Sequence, residues 1–106
     1  MAKYLAKVTY TEDGLKGLLQ AGGTARVEAV QKLMESVGGK LDAFYFAFGD
    51  VDAYVIVDMP DVASGAAISL TVGASGAASV EIVQLLTAAD IDAASKKSPA
   101  YRAPGQ

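Results

Sequence analysis

Polar and apolar residues alternate from Tyr4 to Tyr10. Tyr4, Ala6, Val8 and Tyr10 fall on one side, and Leu5, Lys7 and Thr9 on the other. A period of two, carried by aromatic and β-branched side chains, predicts a half-buried strand. The period then changes. Thr11 before Glu12 and Asp13 predicts a helix start, with a capping hydroxyl and two carboxylates at the positive end. Leu15, Leu18 and Leu19 make a short stripe that Ala21-Gly22-Gly23 ends. Thr24 is the expected N-cap of a second, clearer helix. There Val27, Val30, Leu33, Met34 and Val37 recur at three- and four-residue steps until Gly38-Gly39 stops it. Alternation returns over Leu41–Phe48, placing Asp42, Phe44, Phe46 and Phe48 on one face and Ala43, Tyr45 and Ala47 on the other. Gly49-Asp50 marks a tight turn into a third strand, Val51–Met59. In it Ala53, Val55, Val57 and Met59 form an apolar face, opposite Asp52, Tyr54, Ile56 and Asp58. So short a link makes the two strands an antiparallel hairpin.

Pro60-Asp61 starts a helix rich in alanine, to about Val72, with Asp61 as N-cap and Gly73 and Gly76 closing it. Gly65 and its small neighbours suit close approach to a sheet. Val80–Leu86 is a fourth strand, and Thr87 onward carries one or two helical turns before a tail from Ser95. The order β-α-β-β-α-β is ferredoxin-like: an α+β fold with a four-stranded antiparallel sheet and two helices on one face. One domain is expected over residues 1–94, with 95–106 as a C-terminal tail. The uncovered sheet face would expose Phe or Tyr residues from several strands, which predicts two sheets packed face to face in a homodimer or higher oligomer.

Composition narrows the chemistry. Of 106 residues 52% are apolar, but many are alanine, so large core side chains are fewer than that figure suggests. Net charge is −3 and no basic cluster exceeds Lys96-Lys97, which argues against nucleic acid as a partner. No apolar run approaches about 18 residues, so no membrane span is expected. The first residues enter a strand pattern directly, without a signal-peptide core, and a cytoplasmic location is expected. The chain has neither cysteine nor histidine. That removes thiolate nucleophiles, Cys-ligated metals, proximal-His haem and the base of a Ser–His pair. Asp50, Asp52, Asp58 and Asp61 lack the Gly and closing Glu of a calcium loop, so no metal and no cofactor is expected.

Tyr, Asp and Arg are the groups left for acid–base or binding chemistry. Gly49 is assigned a structural turn role. Asp52 is the candidate catalytic base, with capping of the turn's N–H groups as its structural alternative. Tyr45 and Tyr54 lie across the hairpin as ligand contacts or as interface packing. Arg26 stands in the first turn of the main helix, where a cation opposes the dipole. It is a candidate for an anionic ligand, or for a pair with Asp52 or Asp58. Asp58 is the remaining ligand-contact candidate.

The segment Phe44-Tyr45-Phe46-Ala47-Phe48-Gly49-Asp50-Val51-Asp52, followed by Val55-Ile56-Val57-Asp58-Met59-Pro60-Asp61, resembles the GYD-domain family. Tyr10–Leu15, Arg26 and Gly38-Gly39-Lys40 support the match, which covers roughly residues 4 to 87. Val51 stands where the family's tyrosine usually stands, and Asp58 where a Glu is common. The resemblance implies a dimeric α/β barrel and imports no reaction. Related barrels include cofactor-free monooxygenases, lactone isomerases, haem enzymes and regulatory ligand-binding domains. The primary expectation is a homo-oligomer whose cavity binds a small, largely apolar molecule. A cofactor-independent monooxygenase or isomerase, with Asp52 as base, and a structural assembly protein are the alternatives.

Overall fold

A computed structural model describes the whole chain, Met1–Gln106. Its elements are β1 (Ala2–Tyr10), α1 (Glu12–Ala21), α2 (Gly23–Glu35), β2 (Lys40–Phe46), β3 (Ala53–Met59), α3 (Val62–Ala74), β4 (Ala78–Leu85) and α4 (Ala88–Ser95). The strands form one sheet in the order β2-β3-β1-β4, every neighbour antiparallel. This is the α+β ferredoxin-like arrangement, with the first helical segment split in two and a helix added at the end.

Side-chain alternation sorts the sheet into two faces. Tyr4, Ala6, Val8 and Tyr10 of β1 sit beside Val57, Val55 and Ala53 of β3 and beside Gln84, Ile82, Val80 and Ala78 of β4. The helices cover this face. The core is drawn from it, with Ala53, Val55, Val57 and Met59 at most 3% exposed, joined by Val30 and Met34 of α2 and Ile68 of α3. Burying a side chain of that size contributes about 1.5–3 kcal/mol. The other face has no covering element. Across it the register lines up Ala43, Ile56, Leu5 and Val83, one from each strand, in an unbroken apolar row.

Local signals act as the residue types dictate. Thr11 Oγ1 accepts from Gly14 N at 3.2 Å and donates to the Gly76 carbonyl at 2.8 Å, so it caps α1 and ties it to the α3–β4 turn. Asp61 caps α3 by accepting from Ser64 N at 2.7 Å, and that backbone bond holds its carboxyl below the usual carboxylate range. Thr87 and Asp90 form a reciprocal capping box on α4.

Three sequence expectations need correction. Thr24 is not an N-cap. Gly22, at φ 87°, separates α1 from α2 and occupies the cap position, with no side chain satisfying the first turn of α2. The faces of β2 are not those of a simple alternation. A bulge between Leu41, paired with Val57, and Ala43, paired with Ile56, leaves Asp42 as an extra residue. Leu41 and Phe44 therefore both pack toward the helices, while Asp42 reaches Lys3 on the open face. The phenylalanines thus leave that face: Phe44 and Phe46 lie 4.9 Å apart, and Phe46 borders Gly23 of α2. Finally, β2 ends at Phe46 and β3 begins at Ala53, so Phe48 projects fully into solvent from a longer connection.

The C-terminal part stands away from this body. α4 buries no residue, and Leu86, Ile91 and Tyr101 are exposed. The molecule measures 56 × 33 × 23 Å with a radius of gyration of 16.9 Å, against about 13 Å for a compact chain of this length.

Candidate functional site

α2 leans on β2 and α3 on β4. Between the helices, over the central strands, lies a cavity of about 290 Å³. Its floor is Val55, Val57 and the inward side chains of β1. Twenty residues line it and 17 of them are hydrophobic. The hollow follows from the composition of α3, whose wall toward the sheet includes Gly65, Ala66 and Ser69. These small residues were expected to let the helix close on the sheet. Instead they leave space: a Cβ placed on Gly65 would meet only Met59 Cγ, at 4.0 Å.

Arg26 is the one charged residue in the lining. Its Nε donates to Tyr10 Oη at 3.3 Å, and its guanidinium carbon lies 5.6 Å from the centroid of the Tyr10 ring. It pairs with neither Asp52 nor Asp58, and no carboxylate forms an ion pair with it. Tyr10, which the sequence marked as a strand residue and part of the family match but not as a site residue, thus belongs to the site. Its place on the same side as Ala6 and Val8 was the available signal.

The other candidates lie elsewhere. Asp52 is outside the cavity lining. Its Oδ2 accepts from Tyr10 N at 2.8 Å, its own N donates to the Val8 carbonyl at 2.9 Å, and its carbonyl accepts from Ala47 N at 2.8 Å. These bonds clamp the hairpin connection to the end of β1. Gly49 sits in that connection at φ 139°, a conformation costly for other residues. Tyr45 and Tyr54 are direct register partners on the open face, both solvent-exposed. Asp58 also faces outward, with its Oδ1 3.1 Å from Lys3 Nζ. Lys3 bonds Asp42 at 2.5 Å as well. Hydrogen bonding to Asp42 raises the Lys3 pKa from 10.5, and the bond from Lys3 lowers that of Asp42 from 3.8. The bulge brings Asp42 to this cluster, and no residue pattern announced it.

The candidates therefore divide into three places: Arg26 at the cavity, Asp52 and Gly49 at the hairpin clamp, and Tyr45, Tyr54 and Asp58 on the bare face. No group of three carboxylates gathers in one place. No helix is long and apolar enough to cross a membrane.

A four-stranded ferredoxin-like sheet with an apolar hollow under its helices defines a small α+β domain. The chain matches the GYD domain over residues 4–94 and belongs to that family. No curated protein and no solved structure matches it. The match includes α4, and Val51, where the family's tyrosine usually stands, is half-buried between β2 and β3.

Proposed function

We propose that the protein is a homo-oligomer whose sheet–helix cavity binds a small, mostly apolar molecule. The observation that carries the reading is the cavity, about 290 Å³ with 17 hydrophobic residues among 20 in its lining. That is the usual makeup of a small-molecule site, near the lower end of the usual size range. A dry apolar hollow of about 150 Å³ admits one benzene ring, so this one suits a body of about two rings. The cofactor-independent enzyme draws no support from Asp52, whose carboxylate is engaged by backbone outside the cavity. Fluorescence titration with the neutral two-ring probe 2-naphthamide tests the reading. Saturable binding is expected in the native protein, and its loss in Ala66→Phe, which fills the hollow. Absence of binding to the folded native protein overturns it.

The oligomer half of the proposal draws on surface area. The chain exposes 7269 Å² at a mass of 10.8 kDa, whereas a compact monomer of that mass exposes about 5,500 Å². The surplus, about 1,700 Å², is what one partner contributes to a large homodimer interface. The open face suits a second copy. Its apolar row is flanked by Lys3, Lys7 and Lys40 and by Asp42, Asp58 and Glu81, three charges of each sign. An isologous contact brings opposite charges within reach of one another. The bare apolar side chains of the C-terminal arm supply further surface for the same partner.

A further inference from the structure

The cavity's single charge calls for an explanation that packing does not provide. Arg26 stands on the fourth residue of α2, where the positive end of the helix opposes a cation. No carboxylate forms an ion pair with it. The first turn of α2 also lacks a capping side chain, so its N–H groups add to the positive field. The Tyr10 ring and hydroxyl hold the Nε side of the guanidinium. That one bond is its only hydrogen bond, and the donors on both Nη atoms are unengaged. Every other polar or apolar group of the lining is uncharged. Lys3, Lys7 and Lys40 are on the opposite face of the sheet.

We propose that the ligand is an apolar carboxylate of about two rings, its body in the hollow and its acid group on Arg26. The inference rests on the cavity reading above and adds the head group to it. A guanidinium presents parallel N–H donors that match the two oxygens of a carboxylate. Tyr10 fixes the fork before the ligand arrives, so little side-chain freedom is lost on binding. A carboxylate at this point also reverses the unfavourable meeting of cation and helix end. The attraction is local, because the chain as a whole is acidic at −3.

The test compares 2-naphthoate with the neutral, equally sized 2-naphthamide at neutral pH and low salt, by titration into the full chain. Naphthoate is expected to bind about tenfold more tightly, the effect of one charge-assisted contact at a half-buried site. Arg26→Met is expected to bring naphthoate down to the affinity of the amide and leave the amide within about twofold of its native value. Arg26→Gln, which keeps a neutral donor, gives the same result if charge is the cause. Equal affinities in the native protein, or a naphthoate preference that survives Arg26→Met, overturn the head-group assignment while the cavity reading stands. Failure of both probes to bind overturns the two together.

Discussion

Replacing Asp52 separates the two roles its position invites. Its Oδ2 accepts from Tyr10 N at 2.8 Å, and Tyr10 is 8% exposed. In Asp52→Ala the acceptor is gone and the Tyr10 N–H is left short of a partner away from bulk water. A hydrogen bond to a charged group is worth about 1.5–3 kcal/mol net. With the acceptor only half-buried, about 2 kcal/mol is the expected loss. For a chain of this size that lowers Tm by roughly 10 °C and the urea midpoint by about 1 M. Asp52→Asn keeps an oxygen in place and loses only the charge, so about half of each shift is expected. The assay is thermal and urea unfolding of the native chain and both variants at one protein concentration, since the proposed self-association would make Tm concentration-dependent. A catalytic base behaves differently: its Asn variant loses turnover with little change in stability. The clamp argument is refuted if Asp52→Ala costs less than about 0.5 kcal/mol, or if Ala and Asn are indistinguishable.

Gly14→Ala places a Cβ 2.0 Å from the Ala77 carbonyl oxygen, a backbone atom that cannot swing aside. α1 must shift from the α3–β4 turn, and a loss of about 1–3 kcal/mol is expected in urea unfolding; an unchanged midpoint contradicts the close approach. The Lys3–Asp42 pair gives stability a defined pH window. The Asp42 pKa is depressed on folding, so its contribution is full above 3.8 and lost as pH falls through the folded value below that. The Lys3 pKa is raised, so its contribution is full below 10.5 and lost as pH rises through the folded value above that. The Tm gap between the native chain and Lys3→Met should therefore be constant through neutral pH and close at both extremes; a gap that varies between those limits contradicts the pairing. Ile56→Lys puts a charge in the centre of the open apolar row and should convert the proposed oligomer to monomer in sedimentation. An assembly that persists shows that another surface holds it.

The fold was legible because its determinants are local. Alternation in β1 and β3, the Leu and Val stripes of the helices and the caps at Thr11 and Asp61 each depend on residues a few positions apart. The connection Gly49–Asp52 was legible in part: glycine and aspartate mark a turn, but that Asp52 meets Tyr10 N requires β1 to lie beside β3. What could not be seen was set by pairing. The bulge at Asp42 exists only in the register of β2 against β3, and by one residue it reverses which side chains meet the helices. The break at Ala21-Gly22-Gly23 was legible from its glycines, but the cap was placed at Thr24 rather than at Gly22, whose positive φ turns the chain. At the site, Arg26 was conspicuous for standing against the dipole. Its tyrosine partner comes from 16 residues earlier and from a different element.

The hollow and the bare face have a common origin in where this chain keeps its larger side chains. Toward the sheet α3 sets Gly65, Ala66 and Ser69 among Val62, Ile68 and Val72, so the helix layer leaves space above Val55 and Val57. Meanwhile Leu5, Ile56 and Val83 point away from that layer, and Leu86, Ile91 and Tyr101 stand on the arm. Only 11 of 106 residues are buried, which leaves a single copy short of apolar burial for its length. Each further Leu or Ile covered contributes about 1.5–3 kcal/mol, so the second copy proposed for the open face would supply stability that the cavity withholds. The proposed ligand would supply it from the other side. Binding only to the folded state adds about 2.7 kcal/mol at a concentration one hundred times its Kd. Occupancy should then raise Tm by roughly 10 °C or more, and do so equally in the monomeric Ile56→Lys variant, because Ile56 faces away from the cavity. A Tm rise that disappears with the oligomer would instead mean that the site is completed by the partner.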